Sequence, residues 1–343
     1  MRYILLCALI TINCDNEMIT VIPVTNYQKT VNHNSTEWDI FVTSIATNYV
    51  SNPILLPDAP YENTSPAGII TDPLDSTKKL FYRGNYIGGS SITSFVSLFT
   101  GSSIDDPYDL GTEYGTVISG SESYDIQGCR FGCAVHVSGN TVWYYYTGVD
   151  ASYNWRICRA VSTDGGRTFT KAGVALDFNG VDEGSLSGPS VYVENGTWYM
   201  CYTVWTGSPK IAPLFDPGTS TVGIKLATSS DGITWTETGT YLISPSTRHP
   251  RLEDAGFYKI GDKYALVLTS YNASFNWCLS LWSNDVPTTA FTFQKFILSD
   301  PALVHAVGFL VDYSDGFKYI YYQQESAPAV DPIYVAKFIP QNQ

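Results

Sequence analysis

An all-β fold, a five-bladed β-propeller of four-stranded antiparallel blades, is predicted by three features of this sequence. A hairpin pattern recurs five times, a Ser-x-Asp-Gly turn recurs at blade-sized spacing, and the composition is rich in aromatic residues but poor in charge. The clearest hairpin runs from Gly188-Pro189-Ser190-Val191-Tyr192-Val193 through a turn at Asn195-Gly196 into Thr197-Trp198-Tyr199-Met200-Cys201-Tyr202-Thr203. An Asn-Gly pair between two such runs supplies the positive φ angles of a tight hairpin turn.

The same form returns at Asp254–Lys259, Gly261-Asp262 and Lys263–Val267, and at Gly132–Val137, Gly139-Asn140 and Val142–Tyr146. A copy with a longer turn spans Pro66–Ile70 and Leu80–Gly84, and a fifth spans Val307–Val311 and Tyr319–Tyr322. The turn motif stands at Ser162-Thr163-Asp164-Gly165-Gly166 and at Ser229-Ser230-Asp231-Gly232, 67 residues later. A degenerate copy, Ser283-Asn284-Asp285, follows after another 54. An Asp carboxylate can accept backbone N–H bonds in such a turn while Gly takes φ > 0, and the aromatic residue that follows is expected to plug the outer edge of the blade.

Five hairpins at this spacing occupy residues 50–343 as one propeller, preceded by an N-terminal segment 1–49. That segment, with its apolar run Ile19-Thr20-Val21-Ile22-Pro23-Val24, is expected to supply an outer strand to the last blade and close the ring, because an open sheet edge is costly. Its beginning, Arg2 followed by Tyr3–Ile12, reads equally as the start of a secretory signal without a clear cleavage site or as a buried strand.

Of 343 residues, 44% are hydrophobic and only 15% charged, with 25 Tyr, 16 Phe and 8 Trp, which suits strands better than amphipathic helices. The formal net charge of −13 argues against nucleic acid, whose binding needs Lys and Arg to displace counterions; a neutral or cationic ligand is the easier partner. No stretch is long enough to insert into a membrane as a helix. The seven cysteines show no paired CxxC spacing, so neither a zinc site nor a disulfide framework is indicated; they read as buried thiols, with a Cys129–Cys133 bridge open only if the chain bends there. No phosphate loop, dinucleotide fingerprint, nucleophile elbow or HExxH motif occurs, and no organic cofactor is called for.

The segments Asn52-Pro53-Ile54-Leu55, Leu80–Gly84, Gly188-Pro189-Ser190-Val191, Ser229–Trp235 and Leu252-Glu253-Asp254-Ala255 before Tyr258-Lys259 together resemble the five-bladed propeller glycosidases, the superfamily of glycoside hydrolase families 43, 32, 117 and 130. The resemblance covers most of the chain from Asn52 onward. It implies a carbohydrate partner and an inverting site at the funnel mouth, with an Asp base on the first inner strand, an orienting Asp on the third blade and a Glu acid on the fourth. Two carboxyl groups on opposite sides of the glycosidic bond are what such chemistry needs. Glu253 matches the acid, whereas Ser65 and Gly188 stand where the two Asp residues belong.

Two readings follow. In the first, the protein hydrolyses a poly- or oligosaccharide, and other acids of the entry segments, Asp58, Glu62, Asp182 or Glu183, replace the missing pair, with Glu62 and Glu183 the main candidates beside Glu253. In the second, it is a non-catalytic glycan-binding or structural propeller, a surface or virion component, that has lost the family's catalytic Asp residues; a secreted or virion-associated location is expected. Glu253 and Asp254 are expected on opposite sides of an extended strand, and Glu253 reads alternatively as a structural carboxylate paired with Arg248 or Arg251. His249 and Arg251 flank Glu253 and are candidates to hold a ligand hydroxyl or carboxylate, as is Arg130 on the second blade. The resemblance places His305 under a bound sugar or ion, which leaves room for a structural Ca²⁺ in the funnel, and a buried, hydrogen-bonded histidine is its alternative. Trp205 is a candidate stacking surface, with core packing as its alternative.

Overall fold

The computed structural model describes residues 35–48, 52–56, 61–88, 91–102, 106–178, 184–206, 221–244, 252–271, 277–298, 309–324 and 332–340. Helix α1 (Ser35–Thr43) and strand β1 (Ile45–Asn48) come first. Blade one is β2 (Tyr61–Thr71), β3 (Lys78–Gly88), β4 (Ser91–Ser102) and β5 (Thr112–Ser119). Blade two is β6 (Gly128–Ser138), β7 (Thr141–Val149), β8 (Trp155–Ser162) and β9 (Thr170–Leu176). Blade three is β10 (Ser185–Glu194), β11 (Thr197–Thr206), β12 (Thr221–Ser229) and β13 (Thr236–Ile243). Blade four is β14 (Leu252–Ile260), β15 (Lys263–Tyr271), β16 (Trp277–Asn284) and β17 (Thr292–Leu298).

Blade five is β18 (Phe309–Asp312), β19 (Lys318–Gln323), β20 (Ile333–Ile339) and, antiparallel to β20, the early strand β1. Within each blade neighbouring strands are antiparallel, and the five sheets form a five-bladed β-propeller. A single parallel bridge, Ser94 to Gly128, links blades one and two.

Burial follows the radial order. Strand β10, the first of its blade, is buried almost throughout, whereas the fourth strands β5, β9, β13 and β17 alternate between exposed and part-buried positions as one-sided strands do. Apolar residues therefore gather at the seams between blades rather than in one central core. Successive residues of β7 show why: Tyr144 donates to the Ala67 carbonyl of blade one at 2.6 Å, and Tyr145 donates to the Gly232 carbonyl of blade three at 2.6 Å. The period-2 alternation of a strand sends the two rings to opposite neighbours. Each Leu, Phe or Val buried at such a seam contributes about 1.5–3 kcal/mol.

Closure depends on residues 45–48 and 52–55. Beyond the β1–β20 pairing, Asn52 donates its side-chain amide to the Val335 carbonyl at 2.9 Å and accepts from the Val335 N–H at 3.0 Å, so one side chain imitates a strand residue. Ile54 and Leu55 then exchange backbone bonds with Ile333. The edge position is thus held by Ile45–Asn48, while the Ile19–Val24 run lies outside the described residues. Helix α1 buries Trp38 and Phe41, three residues apart on one face, and Phe41 meets Phe338 with ring centroids 4.7 Å apart.

The recurring turn is built as its residues require. Ser162 Oγ accepts from the Gly166 N–H at 2.8 Å, and Asp164 Oδ1 accepts from the N–H groups of Arg167 and Thr168 at 3.0 and 2.9 Å. Ser229 and Asp231 repeat this with Gly232, Ile233 and Thr234. The aromatic residues after the turns do not plug their own blade's outer edge. Phe169 meets Phe81 and Tyr144, and Trp235 meets Tyr145 of the preceding blade, because the turn faces the seam and the larger apolar surface lies across it.

These turns make stability sensitive to acid. Burial alone would raise the Asp164 pKa, but hydrogen bonds from Ser162, Thr168 and the Arg167 and Thr168 amides outweigh it and bring it from 3.8 down to about 2. Asp231 and Glu194 are lowered likewise, with burial opposing and hydrogen bonds, for Glu194 chiefly from Lys259 and Tyr264, prevailing. A carboxylate whose folded pKa is depressed adds stability above its unfolded pKa and loses it as pH falls through the folded value. The melting temperature is therefore expected to fall between about pH 4 and pH 2, and Asp164→Asn to flatten that fall. An Asp164→Asn melting curve as steep in pH as the parent's would count against this account.

Candidate functional site

The starts of the inner strands share a device that regular alternation does not produce. Register breaks between Pro66 and Ile69 in β2, between Arg130 and Gly132 in β6, between Ser187 and Ser190 in β10, and between Glu253 and Gly256 in β14. Each is a β-bulge, and in blades three and four it carries a left-handed residue, Gly188 at φ 56° and Asp254 at φ 48°. A bulge takes a backbone N–H out of its own ladder, and inside a propeller that group needs a new acceptor. Threonines of the preceding blade supply it. Thr147 Oγ1 accepts from the Gly188 N–H at 3.0 Å, and Thr203 Oγ1 accepts from the Asp254 N–H at 2.9 Å.

Thr147, Thr203 and Thr269 occupy matching places, facing Arg130, Ser187 and Glu253 across their hairpins. Thr269 is buried, and its hydroxyl has no hydrogen-bond partner among the described residues. The three threonines were readable in the sequence as Tyr146-Thr147-Gly148, Tyr202-Thr203-Val204 and Leu268-Thr269-Ser270, one per hairpin. Their role depends on contact with the next blade, which no local pattern reports.

Glu253 is half-buried, second residue of β14 and opposite Thr269. Asp254 follows it at 2% exposure. The bulge interrupts strict alternation at this pair, so the opposite-sides expectation for an extended strand does not carry over. Ser65 is buried, and its hydroxyl too lacks a partner among the described residues. Gly188 has no room for any side chain, since a Cβ there would stand 2.3 Å from Asp254 Oδ1 and 3.0 Å from Asp254 Cα.

Arg130 is half-buried, with its guanidinium 5.0 Å from the centre of the Trp155 ring. Trp155 meets Trp205 edge-on at 6.3 Å, and the Trp205 indole N–H donates to Ser187 Oγ at 3.0 Å. Trp205 is 4% exposed, so this series of contacts forms a wall across the seam of blades two and three. Glu62 falls within β2. Glu183, His249, Arg251, His305, Asp58, Asp182 and Arg248 lie outside the described residues.

The described cysteines, Cys129, Cys133, Cys158, Cys201 and Cys278, are all free and buried. Burial pushes the Cys133 thiol up to about 12 and the Cys278 thiol up to about 11, which leaves neither as a thiolate nucleophile at neutral pH. Among the described residues no three His, Cys, Asp or Glu side chains converge on a metal position. What the arrangement offers chemically is a half-buried carboxyl group next in sequence to a buried one, at the start of the fourth blade's first strand.

No protein-family model matches the chain, and no curated protein matches it. Solved structures do. One, a complex with RGII, aligns over 90% of this chain and 96% of its own, at 15% identity and a TM-score of 0.66. A structure from the GH130 family of mannoside phosphorylases, which contains glycoside hydrolases that target β-1,2 mannosidic linkages in Candida mannan, aligns over 88% and 95% at 16% identity and a TM-score of 0.63. An endo-arabinase from Bacteroides thetaiotaomicron aligns over 84% and 98% at 12% identity and a TM-score of 0.59. The chain therefore has the five-bladed propeller fold found in these glycoside hydrolase structures.

Proposed function

We propose that the protein acts on glycans as a glycosidase, with Glu253 as the general acid. The observation that carries this reading is the placement of Glu253, half-buried at the start of the fourth inner strand and next to the bulge. The propeller fold shared with the structures above supports it. In this reaction Glu253 gives its proton to the leaving glycosidic oxygen as the bond to the anomeric carbon breaks. A second carboxylate takes a proton from the water that attacks that carbon from the other face. The second carboxylate is drawn from Asp58, which precedes β2 in the sequence, Glu62 near the start of β2, and Asp182 and Glu183, which precede β10. Ser65 and Gly188 carry no carboxylate to serve in their place.

Arabinan, β-1,2-mannan, RGII, xylan, fructan and galactan form the test panel. Release of sugar from at least one is expected, and Glu253→Gln should reduce it by about 10²–10⁴-fold, the usual contribution of a positioned proton donor, with the fold intact. Binding to a glycan without release from any would sink the enzymatic reading and favour the non-catalytic one suggested by Ser65 and Gly188.

A further inference from the structure

We infer that Asp254 is the positioning residue for Glu253, and that it supplies across the seam of blades three and four the carboxylate that position 188 cannot carry. The inference rests on the proposed role of Glu253. Three observations lead to it. First, Asp254 is a non-glycine residue held at φ 48°, a backbone state that costs free energy and persists where the surroundings impose it. The imposing group is Thr203 of blade three, whose hydroxyl accepts the Asp254 N–H at 2.9 Å. Since Glu253 is the preceding residue, this pin also fixes the direction in which Glu253 leaves the strand.

Second, the Asp254 carboxylate belongs to the fourth blade but stands over the third. Its Oδ1 lies where a side chain at position 188 would begin, 2.3 Å from an ideal Cβ. One volume is thus available to one side chain, and blade four fills it. Third, the Asp254 carboxylate is held at 2% exposure, where a charge acts on its neighbours with less screening than in water. An acidic group kept in that place, next to a proposed proton donor, fits a role in setting the donor's orientation and local field. The sequence carries the exchange as Ser187-Gly188 in one blade against Glu253-Asp254 in the next, at equivalent places in the two bulges, facing Thr203 and Thr269 of their own hairpins.

The test compares wild type, Asp254→Asn, Asp254→Gly, Gly188→Asp and the double variant Gly188→Asp/Asp254→Gly, by thermal melting and by turnover of whichever glycan the wild type cleaves. Gly188→Asp alone should fail to fold. Adding Asp254→Gly frees the volume and the strained φ, so the double variant should melt cooperatively again. Asp254→Asn keeps the shape and loses the charge; its kcat should fall about 100-fold while KM changes by less than about threefold. The double variant should recover at least roughly a tenth of wild-type kcat. Full kcat in Asp254→Asn would overturn the inference and leave the proposed function standing. A double variant that stays unfolded, or is no more active than Asp254→Gly, would overturn it as well. If the wild type cleaves nothing on the panel, the proposed function fails and the catalytic part of this inference falls with it, while the melting curves still decide whether the two residues share one volume.

Discussion

Replacing Asp125 with alanine is expected to lower the stability of the protein by about 3–5 kcal/mol, the range for removing one partner of a buried charge pair. Asp125 lies in the segment that leads from blade one into β6, and its side chain is 0% exposed. Its carboxylate accepts from the N–H groups of Ser121 and Glu122 at 3.0 and 2.9 Å and from the Tyr146 hydroxyl at 2.8 Å, and it pairs with Lys171 at 2.5 Å. Alanine would leave the buried Tyr146 phenol and two amides to find new partners, while the Lys171 ammonium would keep, among the described residues, only Ser121 Oγ at 3.0 Å. Asp125→Asn keeps most of the geometry and removes the charge, so its loss should be smaller. Urea unfolding measures both, and a change under about 1 kcal/mol in the alanine variant would show that the network is dispensable.

Gly188 is the second position where a small change has a large effect. Its φ of 56° already disfavours any residue with a Cβ, by about 1–2 kcal/mol. The added carbon would also overlap Asp254 Oδ1 at 2.3 Å and press on Asp254 Cα at 3.0 Å. Gly188→Ala should therefore cost roughly 2–4 kcal/mol, combining backbone strain with forced displacement. In Gly188→Asp a second carboxylate would be driven against a buried first one, and no folded population is expected at neutral pH. Circular dichroism and thermal melting distinguish the two cases. A Gly188→Ala protein as stable as the parent would mean that the seam of blades three and four yields more easily than its geometry indicates.

The hairpins were legible because they are local. Asn195-Gly196 and Gly261-Asp262 set their own turns, and the alternating residues on either side set the pairing. Ser162-Asp164 and Ser229-Asp231 were legible for the same reason, since every bond in those turns lies within a few residues. Relations between blades were not legible. Trp235 packs on Tyr145, ninety residues earlier in the chain, and nothing near Trp235 announces that partner. Glu253 could be singled out by its register in a repeat, but the bulge beside it could not, because it is formed with a hydroxyl from another blade. Gly188 looked like the absence of an acid; the structure shows it also as the space that Asp254 needs.

The two threonine contacts at the bulges run one way: blade two holds the start of β10, and blade three the start of β14. A displacement of β7 would thus be felt at Gly188 and one of β11 at Asp254, so that each of these two inner strands takes its position from the sheet before it in the chain.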